Sequence, residues 1–287
     1  MRELVFLKLG GSLITDKTQA YTPRLDKLGD LSDQIARALR NQPELLLVLG
    51  HGSGSFGHTA AQEYRTRDGA PAPAPLAPAG HSPRFQKKRG EIEGGEYWKG
   101  FTEVWYQASR LNRFVIQALH EAGIPAMTFS PAASVWSENG KVVRWDLSQI
   151  EYALEVGIVP VVHGDVIFDK AKGGTILSTE ELFEHLAREL HPGRILLAGL
   201  EEGIWADFPA RRQKVERVTR KSFNEIEQST GKATGADVTG GMESKVRQML
   251  ELAEAIPGLT IQIFSGEWPE NLQQALAGKI LGTIIAA

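Results

Sequence analysis

The sequence contains no cysteine, which excludes disulfides, thiol catalysis and cysteine-ligated zinc. Its longest apolar runs, such as 45–49 and 195–198, are far shorter than the ~20 residues of a membrane-spanning helix. The chain opens without a cleavable signal pattern, so we expect a cytoplasmic protein with no membrane span. Its 32 Lys and Arg residues do not outnumber its 35 Asp and Glu residues, which argues against nucleic acid as a partner.

Short apolar runs alternate with amphipathic helical patterns along all 287 residues. Strands are predicted at 4–9, 45–49, 158–162, 195–198, 260–264 and 281–285. Helices are predicted at 25–39, 101–119, about 180–190 and 242–256. Asn139-Gly140 predicts a tight hairpin, because both of its turn positions need a positive φ. The alternation indicates an α/β fold with a mainly parallel sheet and helices on both faces.

One segment interrupts this pattern. Residues 70–83 are rich in Ala and Pro, and proline lacks the backbone N–H that helices and sheets use. We interpret this segment as a semi-extended surface insertion.

A glycine-rich run follows the second predicted strand. Residues 52–57 form a G-x-G-x-x-G pattern, which is typical of the Rossmann dinucleotide site. That site also needs an acidic residue at the end of a strand about 20 residues later, where this chain has its Ala/Pro-rich segment. A glycine turn between a strand and a helix still presents N–H groups to an anion. The run therefore favours phosphate binding over a NAD(P) site.

Three lysines flank glycine turns, and one histidine follows one. Lys8 precedes Gly10-Gly11-Ser12, Lys17 follows a few residues later, and Lys245 comes after Gly240-Gly241. His58 directly follows the glycine run, where a phosphate would be within reach of its side chain. Cations beside backbone donors are what phosphoryl transfer requires, with Mg²⁺ carried by the nucleotide. No P-loop occurs, and no histidine pair has metal-ligand spacing, so we expect no metal held by the protein.

These motifs together resemble the amino-acid kinase superfamily. Lys8-Leu9-Gly10-Gly11-Ser12 with Thr15-Asp16-Lys17 resembles the superfamily's opening, and 51–58 resembles the H-G-G-G-S-F-G-H run of isopentenyl phosphate kinases. Residues 100–112, 160–165, 237–242 with Lys245, and 282–283 continue the likeness in order. It implies a three-layer α/β/α sandwich in one domain over 1–287. Its acceptor lobe would span about 1–190, with an insertion near 68–96, and its nucleotide lobe about 191–287.

The resemblance also implies the reaction, which is direct in-line transfer of a phosphoryl group from ATP to isopentenyl phosphate without a phospho-enzyme. The ligands would then be ATP with Mg²⁺ and a prenyl monophosphate. The prenyl tail needs an apolar pocket, and the helix at 101–119 would form the wall of this pocket. A homodimer is implied as well.

The resemblance assigns roles residue by residue. Lys8 and Lys245 would neutralise the ATP phosphates, Lys17 would stabilise the transition state, and Asp165 would orient the lysines. His58 would hold the acceptor phosphate. The backbone groups implied to lie along the nucleotide are those of Gly10, Gly11, Ser12, Gly54 and Gly241. The residues implied to approach the acceptor phosphate are Ser53, Gly54, His58 and Gly164.

Two segments depart from the family pattern. Ser178-Thr179-Glu180-Glu181 stands where the family has S-G-D-D, although Ser178 and Glu181 still predict a capping box at a helix start. Leu200 stands where family members place an acidic group near ATP.

Three alternatives remain open at this point. A phosphonate kinase of the fosfomycin-resistance type would need a small polar pocket. A Rossmann oxidoreductase would need the missing acidic residue. A non-catalytic sensor, which Leu200 suggests, would bind ligand without turnover.

Overall fold

The computed structural model describes residues 2–70, 94–207, 210–224 and 242–287. Most of the predicted insertion near 68–96 and the glycine turn before Lys245, including Gly241, lie outside the described residues. Across the described ranges, every helix is too short or too polar to cross a bilayer.

The secondary structure follows the predicted alternation of strands and helices. The described strands are β1 (Leu4–Leu9), β2 (Leu46–His51), β3 (Ala126–Thr128), β4 (Trp136–Glu138), β5 (Lys141–Arg144), β6 (Val159–His163), β7 (Asp165–Asp169), β8 (Gly173–Leu177), β9 (Arg194–Gly199), β10 (Ile204–Trp205), β11 (Lys214–Val215), β12 (Arg217–Val218), β13 (Thr260–Ser265) and β14 (Thr283–Ile285). The described helices are α1 (Gly11–Ile14), α2 (Leu25–Asn41), α3 (Gly54–Tyr64), α4 (Gly95–Glu121), α5 (Pro131–Ser134), α6 (Ser148–Glu155), α7 (Thr179–Leu190), α8 (Met242–Ala255) and α9 (Asn271–Leu276), with a 3-10 helix at Thr66–Asp68.

The central sheet has eight strands in the order β12-β14-β13-β9-β1-β2-β6-β3. Each neighbouring pair is parallel except β13 and β14, which are antiparallel. The predicted mainly parallel sheet is therefore confirmed.

Helices cover both faces of this sheet. Along β1, Val5 and Leu7 pack into one apolar cluster with α2, α4 and α9, whereas Phe6 packs into a second cluster with α6, α7 and α8. Successive side chains of a strand point to opposite faces, so one buried strand supplies both cores. The predicted three-layer α/β/α architecture is confirmed.

A smaller sheet of four strands, in the order β5-β4-β7-β8, extends the structure. Its β4–β5 hairpin turns at Asn139 and Gly140, whose φ angles are 53° and 78°, as the Asn-Gly signal predicts. The β7–β8 hairpin is not anticipated by the sequence patterns described above.

The fold brings several strand ends to one edge of the central sheet. In the parallel registers, Leu9 lies opposite His51, and His51 lies opposite His163. Gly10, Gly52 and Gly164 immediately follow these three strand ends. Ligands of open α/β sheets bind beyond the carboxyl ends of their strands, so this edge is where a site is expected.

Candidate active site

A cavity of about 700 Å³ opens at this edge of the sheet. It brings together residues from ten elements, counting the 3-10 helix, and from their connecting loops. The predicted site residues that line it are Lys8, Gly10, Gly11, Ser12, Lys17, Ser53, Gly54, Gly164 and Lys245. Most of the predicted site therefore converges on one cavity.

Two glycine turns form the floor of the cavity by packing directly against each other. A Cβ atom on Gly52 would lie 2.7 Å from the Gly11 nitrogen, and one on Gly11 would lie 2.6 Å from the Gly54 Cα. Distances below 3 Å are steric clashes, so neither turn accommodates a side chain here. This close approach explains why glycine occupies both turns.

Thr15 connects the start of α3 to the glycine turn at the start of α1. The Thr15 hydroxyl donates to the Gly11 carbonyl (2.7 Å) and accepts from the Ser55 N–H (3.0 Å). Gly54 has a φ of +50°, which disfavours residues with a side chain. His58 lies in α3, one turn after Gly54. The Ser55 N–H is thus taken by Thr15, and the Phe56 and Gly57 N–H groups donate to the Ser53 carbonyl at 3.1 and 3.2 Å. This helix start therefore offers an anion fewer free donors than an uncapped one.

The N–H of Gly10 is not among the available donors. It donates to the Ala198 carbonyl at 2.7 Å, so Gly10 joins the turn to β9 and does not wrap a phosphate through its amide. Gly11 and Ser12, in the first turn of α1, also line the cavity.

The N–H of Gly164 is also engaged within the protein. It donates to the Thr179 hydroxyl (3.1 Å) and to the His51 carbonyl (3.3 Å). Gly164 therefore lines the cavity through its remaining backbone atoms.

Glu180 connects the two lysines predicted to contact ATP phosphates. Its carboxylate forms ion pairs with Lys8 and, at 3.2 Å, with the Lys245 Nζ. Lys8 and Glu180 are buried, whereas half of the Lys245 side chain (49%) is exposed. Burial opposes the charged carboxylate, but the two lysines outweigh it and lower the pKa of Glu180 to about 2. Burial lowers the pKa of Lys8, and Glu180 counteracts this shift.

Asp165 forms no ion pair with Lys8 or Lys245, although the resemblance implies that it orients the lysines. It is fully buried, and the ion pair recorded for it joins its Oδ2 to the His163 Nε2 at 3.5 Å. Both lysines instead pair with Glu180. The physical reason is topological: Glu180 lies in the first turn of α7 and lines the cavity, whereas Asp165 begins β7 and is not among the described residues that line it.

The start of α7 is fixed by local hydrogen bonds. Ser178 and Glu181 form the predicted capping box, which is confirmed. The Thr179 hydroxyl donates to the His51 carbonyl at 2.6 Å, which ties α7 to the end of β2. The departure of residues 178–181 from the family pattern is visible in the sequence. The contact of Glu180 with both lysines depends on tertiary structure.

Lys17 lies on an exposed loop whose base is closed by hydrogen bonds. The Asp16 N–H donates to the Thr22 carbonyl, and the Arg24 N–H donates to the Ile14 carbonyl, both at 2.9 Å. The Arg24 guanidinium also pairs with Glu267, in the segment after β13. The loop that carries Lys17 is thus joined to the segment that follows β13.

One wall of the cavity is apolar. It is formed by Ala61 of α3, Val104 of α4, and Ile176 and Leu177 of β8. Val104 belongs to the helix predicted to form the wall for a prenyl tail. Arg67, which the sequence analysis missed, also lines the cavity and pairs with Glu181 at 3.2 Å.

Among the described residues, the cavity is cationic. Lys8, Lys17, Arg67 and Lys245 face only two carboxylates, those of Glu180 and Glu201. Within the ranges that the structure describes, no cluster of three or more His, Asp or Glu side chains is arranged to hold a metal ion. Leu200 lines the cavity with 38% of its surface exposed, so the departure from the family pattern lies at the site itself.

Comparisons with known proteins agree with this geometry. The model of the amino acid kinase family matches residues 3–265. The chain is 32% identical to an isopentenyl phosphate kinase of Methanothermobacter thermautotrophicus, and the match covers 98% of each chain. It is 31% identical to one from Methanocaldococcus jannaschii, again over 98% of each. A solved isopentenyl phosphate kinase superposes with a TM-score of 0.77 at 28% identity, covering 99% of this chain and 100% of that one.

Proposed function

The chain belongs to the amino acid kinase family, and from this premise we propose that it transfers a phosphoryl group from ATP to isopentenyl phosphate, forming ADP and isopentenyl diphosphate. The observation that carries the proposal is a single cavity in which lysines and glycine turns meet an apolar wall. The full-length likeness to proteins named isopentenyl phosphate kinases supports the same substrate.

In the proposed reaction, an oxygen of the acceptor phosphate attacks the γ-phosphorus of ATP. The bond to the bridging oxygen breaks as the new bond forms, and its electron pair leaves with ADP. The protein then has little covalent chemistry to perform, so positioning and charge neutralisation supply the rate enhancement.

The lysines neutralise charge in this proposal. Lys8 and Lys245 contact the ATP phosphates while Glu180 holds both side chains in place. Lys17, exposed on its loop, reaches the transferred phosphoryl group and stabilises the transition state. Gly11, Ser12 and Gly54 surround the phosphates through their backbone, and the resemblance to the family implies that Gly241, outside the described residues, contacts the nucleotide.

The acceptor binds on the other side of the glycine turns. His58 donates a charge-assisted hydrogen bond to its phosphate, and Ser53, Gly54 and Gly164 line the same side. The prenyl tail packs against the apolar wall that includes Val104 and Ile176. An apolar wall favours this substrate over fosfomycin, which is small and polar.

The donor set fits ATP with a magnesium ion bound to its phosphates. The buried carboxylate of the cavity, Glu180, is already paired with two lysines, so the phosphates themselves are the natural ligands of Mg²⁺. When bound, the ion neutralises charge on the phosphate oxygens.

The lobe assignment, about 1–190 for the acceptor and about 191–287 for the nucleotide, belongs to the same proposal, as does a cytoplasmic location. So does a homodimer, for which Trp105 and Tyr106 of α4 and Met127 of β3 offer exposed apolar surface. Light scattering would test the dimer, and a monomeric mass at micromolar concentration would refute it.

The remaining alternatives are less well supported. Membership of the amino acid kinase family argues against a Rossmann oxidoreductase. A sensor without turnover would not need Lys8, Lys17 and Lys245 around one cavity.

Release of ADP from Mg-ATP by the purified protein tests the proposal. We expect turnover with isopentenyl phosphate, and none with isopentenol, which has the same tail without the phosphate. Fosfomycin serves as the competing acceptor. Turnover with fosfomycin alone would replace our proposal with a phosphonate kinase, and ligand binding without ADP release would favour the sensor.

A further inference from the structure

Two buried histidines stack directly behind the cavity. His51 is the last residue of β2 and His163 is the last residue of β6, and the parallel register places them opposite each other. Their ring centroids are 5.1 Å apart and the ring planes differ by 3°. Both residues are buried, with relative exposures of 0% and 2%. The proposed reaction does not use either ring.

The hydrogen bonds of His51 define its protonation. Its Nδ1 lies 3.1 Å from the Gly52 carbonyl, which only accepts hydrogen bonds, so Nδ1 carries the proton. Its Nε2 then accepts from the Asn112 amide at 3.1 Å. The Asn112 carbonyl oxygen accepts in turn from the Thr128 hydroxyl at 2.5 Å. This chain of bonds fixes a neutral His51 ring.

Three buried polar atoms of His163 and Asp165 lack such partners. Among the described residues, neither ring nitrogen of His163 has a hydrogen bond, and the same is true of the Asp165 Oδ2. The Nε2 and Oδ2 atoms are 3.5 Å apart. Buried polar atoms without partners are costly, and one proton between these two atoms would satisfy both.

The cluster is joined to the acceptor side of the cavity by the backbone. Gly52 follows His51, and Gly164 lies between His163 and Asp165. The His51 carbonyl accepts from the Gly164 N–H and the Thr179 hydroxyl. A shift of either ring would therefore move the glycine turns that line the cavity.

We propose that His51, His163 and Asp165 form a positioning cluster for the acceptor phosphate, in which one proton shared by the Asp165 Oδ2 and the His163 Nε2 keeps the cluster uncharged. The inference deepens the proposed function and rests on it. Loss of the shared proton would leave a buried carboxylate between Gly164 and the smaller sheet, and the acceptor site would loosen.

The surroundings of the cluster favour the uncharged state. Burial raises the pKa of Asp165 to about 7, and the hydrogen bond that Oδ1 accepts from the Val166 N–H opposes this rise only in part. Burial also lowers the pKa of His163, and His51 adds to that shift. The charged group that acts on His51 is Lys8 of β1, which disfavours a second positive charge. The proton of the pair is therefore on Asp165 and not on His163, and it is lost as the pH rises through about 7.

Two variants of Asp165 separate the proton from the packing. Asp165→Asn imitates the protonated carboxyl at every pH, and Asp165→Leu removes the polar contact. Gln262→Leu is the matched control, because Gln262 is also a buried polar residue of the central sheet but bonds to the Leu281 carbonyl, away from the cavity. The assays are KM for isopentenyl phosphate, KM for ATP and kcat from pH 6 to 9, with melting temperatures measured without substrate from about pH 4 to 7.

For the wild-type enzyme we expect KM for isopentenyl phosphate to rise about fivefold or more as the pH passes 7. In Asp165→Asn we expect this KM to stay within about twofold of the change that ionisation of the substrate phosphate alone produces. Asp165→Leu should raise this KM about tenfold at each pH and change KM for ATP less than about twofold. The control should leave all three constants unchanged. Rescue by Asn but not by Leu would distinguish a positioning role from a merely structural one.

Identical pH profiles for wild type and Asp165→Asn would overturn the proposal, and so would equal changes in both KM values in Asp165→Leu. The melting temperatures, measured without substrate, test the shared proton independently of the proposed function. If the wild type does not turn over isopentenyl phosphate, yet Asp165→Asn removes a fall in melting temperature as the pH rises from about 4 to 7, the substrate assignment fails and the shared proton stands. Without that difference in melting temperature, the shared proton fails as well.

Discussion

Glu180 offers the sharpest test of how this site is built. Its carboxylate is buried between Lys8 and Lys245, and Glu180→Gln removes the charge with almost no change in shape. The variant would leave the Lys8 ammonium buried without a counter-charge. Breaking a buried ion pair by removing one partner is strongly destabilising, so the substitution should affect stability as well as activity.

The pKa of Glu180 supplies the magnitude. It falls from 4.5 to about 2 in the folded protein, and a tenfold change in the proton equilibrium corresponds to about 1.4 kcal/mol. The ionised carboxylate therefore stabilises the fold by about 3 kcal/mol at pH 7. Because the pKa is lowered on folding, this contribution is present above pH 4.5 and is lost as the pH falls towards 2.

Thermal and urea unfolding at pH 7 measure the effect. We expect Glu180→Gln to lower the free energy of unfolding by about 3 kcal/mol, which for a chain of this size is roughly 6 °C in Tm. Glu254→Gln is the control, since Glu254 forms an exposed pair with Arg220 and such pairs contribute about 1 kcal/mol at most. Equal stability of Glu180→Gln and wild type would refute the reasoning, as would a loss no greater than in the control.

Three further substitutions probe the catalytic groups and the anchor of the loop that carries Lys17. Lys17→Met should lower kcat about 100-fold with an unchanged Tm, because the exposed side chain acts on the transition state alone; steady-state kinetics showing wild-type kcat would remove Lys17 from the mechanism. His58→Ala should raise KM for isopentenyl phosphate about tenfold while KM for ATP stays constant, and equal effects on both would place the histidine elsewhere. Arg24→Met removes the pair with Glu267 that anchors the Lys17 loop, so we expect kcat to fall about tenfold with little change in either KM; a variant that loses only thermal stability would contradict this.

Local signals in the sequence were sufficient for much of the fold. The apolar run of β1, the Asn139-Gly140 turn and the Ser178 capping box each depend on residues close together in the chain, and each is found where it was predicted. The β7–β8 hairpin was missed because its strands lack the apolar run that marks the equally short β6: β7 begins and ends with Asp, and β8 begins with two glycines.

The residues of the site also fall into those that local patterns predict and those whose roles depend on contacts distant in the chain. Lys8, Lys17 and Lys245 were identified because each lies near a glycine turn, which is a local pattern. The role of Glu180 depends on contacts with residues of β1 and α8, far away in the chain. The sequence could show that Glu180 begins a helix, but it could not show which lysines that helix faces. For the same reason Asp165 was assigned a contact that Glu180 makes.

The charge arrangement explains why the site needs a buried carboxylate before any ligand binds. Burial lowers the pKa of Lys8, and an uncharged lysine would not attract a phosphate. Glu180 keeps the ammonium charged, and its second oxygen holds the partly exposed Lys245 beside it. In Glu180→Gln a bound triphosphate would supply the missing counter-charge, so saturating Mg-ATP should raise Tm more in this variant than in the wild type. An equal rise in both proteins would mean that the lysines paired with Glu180 do not contact the nucleotide.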